Sequence, residues 1–325
     1  MTVTPQQSSR FDLKSKPKRQ KPQPRLVIVG EAGVGKTSFA AAAPDMVLVP
    51  TEDGALGVDV ARLPNEGKCE TWSEVLEAFR VLLRGEHGYK WVALDTADVA
   101  ERLCAKTVCD RDFGGIWNTT KGVEGYNAFG KGEKATAYEL GELLNLLDAL
   151  QQKRGMGVIL LSHQGLHKQA NALGSDFYKF GGEMGRHSWS RICSWADQVG
   201  HACREMRVTT RDGESKAKAS AIGTERWIVF EGGPGRDAKS RAGYEMPDKI
   251  PLSWDDYEQA MAADRVGALV DQAFDLIAQV NGKAAETLNK RFEGKPTPEK
   301  LRALGKQKLE IMVGWLMAMK NTEVK

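Results

Sequence analysis

The sequence predicts an α/β fold on a mostly parallel sheet, and three observations carry that prediction. Apolar runs at residues 26–29, 46–50, 91–94 and 158–161 lack the alternation of half-exposed strands, so each reads as a strand buried on both faces. Segments of helical period separate the runs, as in Val75, Leu76, Phe79 and Leu83, and again in Tyr138, Leu140, Leu143, Leu144, Leu147 and Leu150. A glycine-rich turn at 30–35 joins the first strand to an alanine-rich helix over 36–43, which Pro44 stops. Strand, glycine turn and helix form the first half of a βαβ unit.

The later elements follow in order. A helix is expected over about 98–110, after which the pattern lapses: residues 114–133 hold six glycines and no apolar period, and read as a long loop. A second polar loop is expected from Gln164 to about Arg186. Strands are expected at 197–205, 206–210 and 225–231, with a turn at Asp212 and Gly213. From Trp254 onward every segment has helical period. One helix carries Val266, Leu269, Val270, Phe274 and Ile277 and ends at Asn281 and Gly282. The last opens with Thr297 as N-cap and Pro298 at its first position, and its apolar face holds Leu309, Met312, Val313, Leu316 and Met319. The expected organisation is a disordered basic tail (1–24), an α/β core (25–255) and a small helical C-terminal domain (256–325).

Composition narrows the function classes. A chain of 325 residues can bury a large core without staples, which excludes a small disulfide or metal scaffold. Lys and Arg number 46 against 43 acidic residues, so the chain is not basic throughout and any nucleic-acid contact must come from local patches. One such patch is the tail, with Arg10, Lys14, Lys16, Lys18, Arg19, Lys21 and Arg25 among prolines. Five cysteines without paired spacing point to free thiols in a reducing compartment, and no run approaches the ~18 apolar residues of a membrane span. The expected location is cytoplasmic, with no membrane partner. His163 and His167 are four apart but lack the glutamate a zinc protease needs, since Gln164 follows the first.

Gly30-Glu31-Ala32-Gly33-Val34-Gly35-Lys36-Thr37 matches G-x-x-x-x-G-K-[ST] in full, between a strand and a helix. Glycines let successive backbone N–H groups turn toward phosphate oxygens. The expected nucleotide contacts run from Gly30 through Ser38, with Lys36 bridging β- and γ-phosphates of ATP and the Thr37 hydroxyl ligating Mg²⁺. Asp95 ends a buried strand, where a Walker B carboxylate sits and holds Mg²⁺ through water. Glu52 lies just past another strand terminus on the same sheet edge, placed to orient an attacking water as base; Asp53 competes for that role.

With these residues in view, the chain resembles the RecA-like branch of P-loop ATPases, closest to the short phage-encoded RecA-core proteins of the Sak type that act in single-strand annealing and recombination. Besides the phosphate loop and Glu52, the strand at 158–163 resembles the family strand whose last polar residue senses the γ-phosphate, a role the resemblance gives to His163. Ala238-Lys239-Ser240-Arg241-Ala242-Gly243 is similar to the K-x-R-x-G pattern of the RadA and DnaB members, which implies that Lys239 and Arg241 reach a neighbouring subunit's ATP. The implied assembly is a homo-oligomer, ring or filament, with ATP at subunit interfaces. The stretches 113–135 and 164–190 fall where the family has its two DNA-binding loops. The first holds Trp117, Lys121, Tyr126, Phe129, Lys131 and Lys134; the second holds His167, Lys168, Phe177, Tyr178, Lys179, Phe180 and Arg186. Aromatic and basic residues interleaved in this way suit single-stranded DNA. The C-terminal helices lie outside the resemblance and are open to a replication or recombination partner. Three alternatives share the phosphate loop: a helicase or translocase motor, a nucleotide-dependent adaptor of replication, and a small-molecule kinase.

Overall fold

The structure, a computed structural model, describes residues 22–55, 57–120, 122–171, 174–204, 225–241, 243–244, 246–279 and 282–322. The expected strand at 206–210, the turn at Asp212 and Gly213, Lys121, Ala242, Asn281 and residues 1–21 of the expected tail lie outside that set.

Along the chain run β1 (Arg25–Gly30), α1 (Lys36–Ala41), β2 (Met46–Pro50), β3 (Ala61–Arg62), α2 (Trp72–Arg84), β4 (Trp91–Asp95), α3 (Ala97–Asp112) and α4 (Lys131–Ala149). There follow β5 (Gly157–Gln169), β6 (Phe177–Gly182), α5 (Arg186–Trp195), β7 (Gln198–Arg204), β8 (Arg226–Val229), β9 (Lys239–Ser240) and β10 (Lys249–Pro251). The C-terminal helices are α6 (Trp254–Ile277), α7 (Gly282–Arg291), α8 (Pro298–Arg302) and α9 (Gly305–Thr322).

The central sheet has the order β10-β8-β7-β1-β5-β4-β2-β3. It is parallel from β7 to β3, while β8 and β10 add antiparallel strands at one side. The fold is thus the mixed α/β, mostly parallel architecture of a P-loop NTPase core. Its strands lack alternation because both faces are covered. Val27, Val29, Val47, Val49, Val92, Leu94, Val158 and Leu160 point to the side packed by α2, α3, α4 and α5. Leu26, Ile28, Leu48, Ala93, Ile159 and Leu161 point to the other, where α1 and the start of α6 lie.

Local signals fix the covering helices. Thr71 opens α2 with a capping box, its hydroxyl accepting from the Glu74 amide while Glu74 accepts from the Thr71 amide. Val75, Leu76, Phe79 and Leu82 then bury one face. At α8, Thr297 accepts from the Lys300 amide and Pro298 occupies the first turn.

Two expectations need correction. The loop expected over 114–133 stops early, because α4 begins at Lys131; Gly132 sits where an added Cβ would lie 2.4 Å from the Tyr126 ring, so a glycine inside a helix here serves close packing. The loop expected from Gln164 is a hairpin: β5 runs on to Gln169 and pairs antiparallel with β6, followed by α5. The boundary expected at 255/256 falls in the first turn of α6. That helix places Trp254, Tyr257 and Met261 in the core and Val270, Ala273 and Leu276 in a separate cluster with Leu288, Leu301, Leu309, Met312 and Leu316. A continuous helix joins the two clusters.

Candidate functional site

Parallel strands place their C-terminal ends on one edge, so β1, β5, β4 and β2 deliver Gly30, His163, Asp95 and Pro50 to the same rim. β5 lies between β1 and β4, which sets His163 between the phosphate loop and Asp95. The loop is anchored by buried Val34 and leaves Glu31, Ala32 and Gly33 exposed. Gly33 and Gly35 have φ of 72° and 112°, conformations that favour glycine. Gly30 is required by contact: a Cβ there would sit 2.5 Å from the Ala202 carbonyl oxygen on β7.

Lys36 is buried and donates to the carbonyls of Gly30 (2.9 Å) and Glu31 (3.0 Å). Desolvation lowers its pKa, against the pull of Asp95, Asp98 and Glu52. Thr37 donates its hydroxyl to Asp95 Oδ2 at 2.8 Å, while Asp95 Oδ1 is buried with no hydrogen-bond partner. Burial raises the Asp95 pKa. A buried carboxylate oxygen without a partner, beside a hydroxyl, has the donor set of a hard cation, and Mg²⁺ fits it. Ser38, exposed, follows on the first turn of α1.

Glu52 is aimed by its predecessor. Thr51 donates its amide to the Asp95 carbonyl (2.7 Å) and its hydroxyl to the Thr96 carbonyl (2.9 Å), which ties the end of β2 to the end of β4. The next side chain then lies over the rim. Glu52 Oε1 is 3.8 Å from His163 Nε2, and desolvation raises the Glu52 pKa against the opposing pull of His163. Asp53 turns away to pair with Lys68 at 2.6 Å.

Sequence reading missed Asp98. Fully buried at the start of α3, it accepts from the His163 amide at 3.0 Å and faces His163 Nδ1 at 3.2 Å. Glu52, His163 and Asp98 therefore form a line, with Arg102 3.6 Å beyond Asp98. An aspartate three residues after Asp95 on a helix was the available signal, but only the β4–β5 pairing gives it meaning. Asp98 and His163 also lie with Glu183 so that ligand-type atoms come within 4.8 Å of one another. His167 is not part of this group: its Nε2 meets the Gly182 carbonyl at 2.7 Å and its ring stacks on Trp189.

Lys239 and Arg241 are placed elsewhere. β9 pairs with the first residues of β7, at the opposite edge of the sheet from the phosphate loop. Arg241 pairs with Asp197 at 3.2 Å and donates to the Ser194 carbonyl at 2.6 Å. Lys239 is half-buried, and desolvation lowers its pKa.

The two stretches of aromatic and basic residues divide. Tyr126 is buried, its hydroxyl 2.7 Å from Thr136, and Trp117 packs on it at 4.8 Å, whereas Phe129 is 86% exposed. Lys131 and Lys134 stand on α4, with Lys131 paired to Glu124. On the hairpin, Leu166 is opposite Phe180 and Lys168 opposite Tyr178, and Leu166, Tyr178 and Phe180 are all exposed on that shared face. Lys168 and Lys179 are paired with Asp176 and Asp237. Arg186 begins α5, past the hairpin. All five cysteines are free. Among the described residues no helix is long and apolar enough to cross a membrane.

No curated protein matches the chain. Residues 23–242 match the family of AAA domains, a span that holds the phosphate loop, Glu52, Asp95, His163 and the hairpin. A glycine loop on a parallel sheet, a carboxylate and hydroxyl fit for Mg²⁺, and this match together place the chain in the AAA domain family of P-loop ATPases.

Proposed function

We propose that the chain hydrolyses ATP at this rim and couples turnover to single-stranded DNA, in a recombination, annealing or repair setting. The observation that carries the reading is the placement of Glu52 and His163 across from the phosphate loop, with the β5–β6 hairpin beginning one residue after His163. Lys36 leaves its two carbonyl partners for the triphosphate. Thr37 and Asp95 would hold Mg²⁺, which when bound would neutralise charge developing on the transferring phosphoryl. Glu52 orients the water and takes its proton; desolvation makes it a stronger base than an exposed carboxylate. Engagement of Asp53 by Lys68 favours Glu52 over Asp53 as the base. Asp98 holds the His163 ring through Nδ1 and leaves Nε2 on the Glu52 side, from which it would sense the γ-phosphate.

The hairpin carries Tyr178 and Phe180 exposed on one face, rings on which unstacked bases can stack. Its lysines are paired with carboxylates, so the hairpin contributes mainly stacking, and the salt-sensitive attraction to DNA falls to the basic residues that precede Leu26. A homo-oligomer with ATP at subunit interfaces is supported by the position of Lys239 and Arg241, on the sheet edge that cannot serve the chain's own site. Arg241 must release Asp197 to act on a neighbour. The recombination setting, and the likeness to short phage annealing proteins, rest on the motifs alone.

The test is ATP turnover by Glu52→Gln. Loss of hydrolysis with nucleotide binding kept supports Glu52 as base, and unchanged turnover contradicts it.

A further inference from the structure

Beside the phosphate loop stand two arginines that no motif includes. Arg204 ends β7 and Arg226 begins β8, and the two are directly opposite each other in the antiparallel pair. Arg204 donates to the Gly33 carbonyl at 3.1 Å. Arg226 lies against the bare Cα of Gly35: a Cβ there would sit 2.8 Å from its Nη1. Both side chains are exposed, and among the described residues neither has a carboxylate within ion-pair distance. Like charges directly opposite each other in a sheet are destabilising, and an anion near both guanidinium groups would offset that repulsion.

We propose that Arg204 and Arg226 form a second phosphate-binding element, supplied by the same chain and engaging the α- and β-phosphates of the bound nucleotide. The proposal rests on the reading of this rim as a nucleotide site. Sheet order assigns the phosphates. Glu52, His163 and Asp95 lie on the β5, β4 and β2 side of β1, which is where the γ-phosphate must be for hydrolysis. β7 and β8 lie on the other side of β1, so the remainder of the nucleotide trails toward the arginines. Guanidinium groups present several donors in a fixed fork that suits phosphate oxygens, and their charge offsets a polyanion for which the loop itself supplies one lysine.

Calorimetric titration of ATP and ADP, each with Mg²⁺, into the full chain tests this. Arg204→Ala and Arg226→Ala should each weaken both nucleotides by about tenfold or more, the value of a charge-assisted hydrogen bond. Arg204→Lys and Arg226→Lys should recover part of the loss, since charge is kept and the fork is not. Melting without nucleotide should be unchanged or higher in Arg226→Ala, because a repulsion has been removed, while Arg204→Ala also gives up its hydrogen bond to the Gly33 carbonyl. Wild-type affinity in the double alanine variant overturns the proposal, and so does a loss confined to ATP, which would place the contacts on the γ-phosphate. If the wild-type chain binds neither nucleotide, the underlying reading falls as well. If it binds both, Lys36→Ala does not, and the double alanine variant binds normally, only the arginine assignment falls.

Discussion

The two edges of the sheet spend their polar groups differently. At the N-terminal edge, Arg25 bonds Asp197 through its amide, Nε and Nη2, and reaches Asp148 at 3.1 Å while its guanidinium covers the Trp195 ring. Arg241 joins the same Asp197, Trp195 Nε1 donates to Asp148, and Tyr257 donates to Gln198. At the C-terminal edge, Lys36 is held by carbonyls, Asp95 Oδ1 has no partner, and Arg204 and Arg226 have no described carboxylate. Satisfied networks hold a fold together, and an unpartnered buried carboxylate oxygen such as Asp95 Oδ1 is the group a bound cation would satisfy, whereas the unpartnered Ser240 Oγ and Trp254 Nε1 of the other edge carry no charge. Apart from Lys239 and Arg241, whose proposed action is on a neighbouring subunit, substitutions at one edge should therefore reach stability, and at the other activity.

Lys36→Ala should give the largest effect, lowering ATP turnover by about 10³-fold or more while leaving the melting temperature of the nucleotide-free chain close to wild type. A variant that melts far lower would place Lys36 with the structural edge. Asp197→Ala should do the reverse, costing ~3–5 kcal/mol in denaturant unfolding, because it leaves the Arg25 charge part-buried without its main partner. Burial raises the Asp197 pKa, but the Arg25 hydrogen bonds and charge outweigh it and hold the carboxyl below its ordinary value. The stability it contributes is thus present above the unfolded-state pKa and is lost as pH falls through the depressed folded one. Acid unfolding of Asp197→Asn should lack that part of the slope.

Asp98→Asn tests the nucleotide edge more gently. Loss of one charged hydrogen bond to His163 should lower turnover by about tenfold. As a positioning residue it should keep the Glu52 pH limb but move it to lower pH, because the Asp98 charge helps to raise the Glu52 pKa, whereas a merely destabilised fold would change melting instead. The pH limb has a defined sign. Glu52 acts when deprotonated and burial raises its pKa, so turnover should rise with pH through a value above the ordinary carboxylate range, and Glu52→Gln should remove that limb.

Much of this was legible in the sequence where the signal is local. The phosphate loop is contiguous, and buried parallel strands announce themselves as unbroken apolar runs. The hairpin was not legible, because past His163 the strand is solvent-facing and reads Gln164, Gly165, Leu166, His167, Lys168 and Gln169, with no apolar run. The start of α4 was masked by Gly130 and Gly132, the first a left-handed cap and the second a packing contact with Tyr126. Asp98, Arg204 and Arg226 carried no motif. Each acquires meaning from pairing between segments far apart in the chain, as Asp98 does with His163 and Arg204 with Gly33.

The central claim is that a nucleotide site and a hairpin that share β5 work as one unit. The direct measurement is ATP turnover of the full chain alone and with single-stranded DNA, duplex DNA or RNA, over a range of salt. The account predicts that single-stranded DNA raises turnover and that the stimulation weakens as salt rises. Turnover that none of the three changes would contradict it.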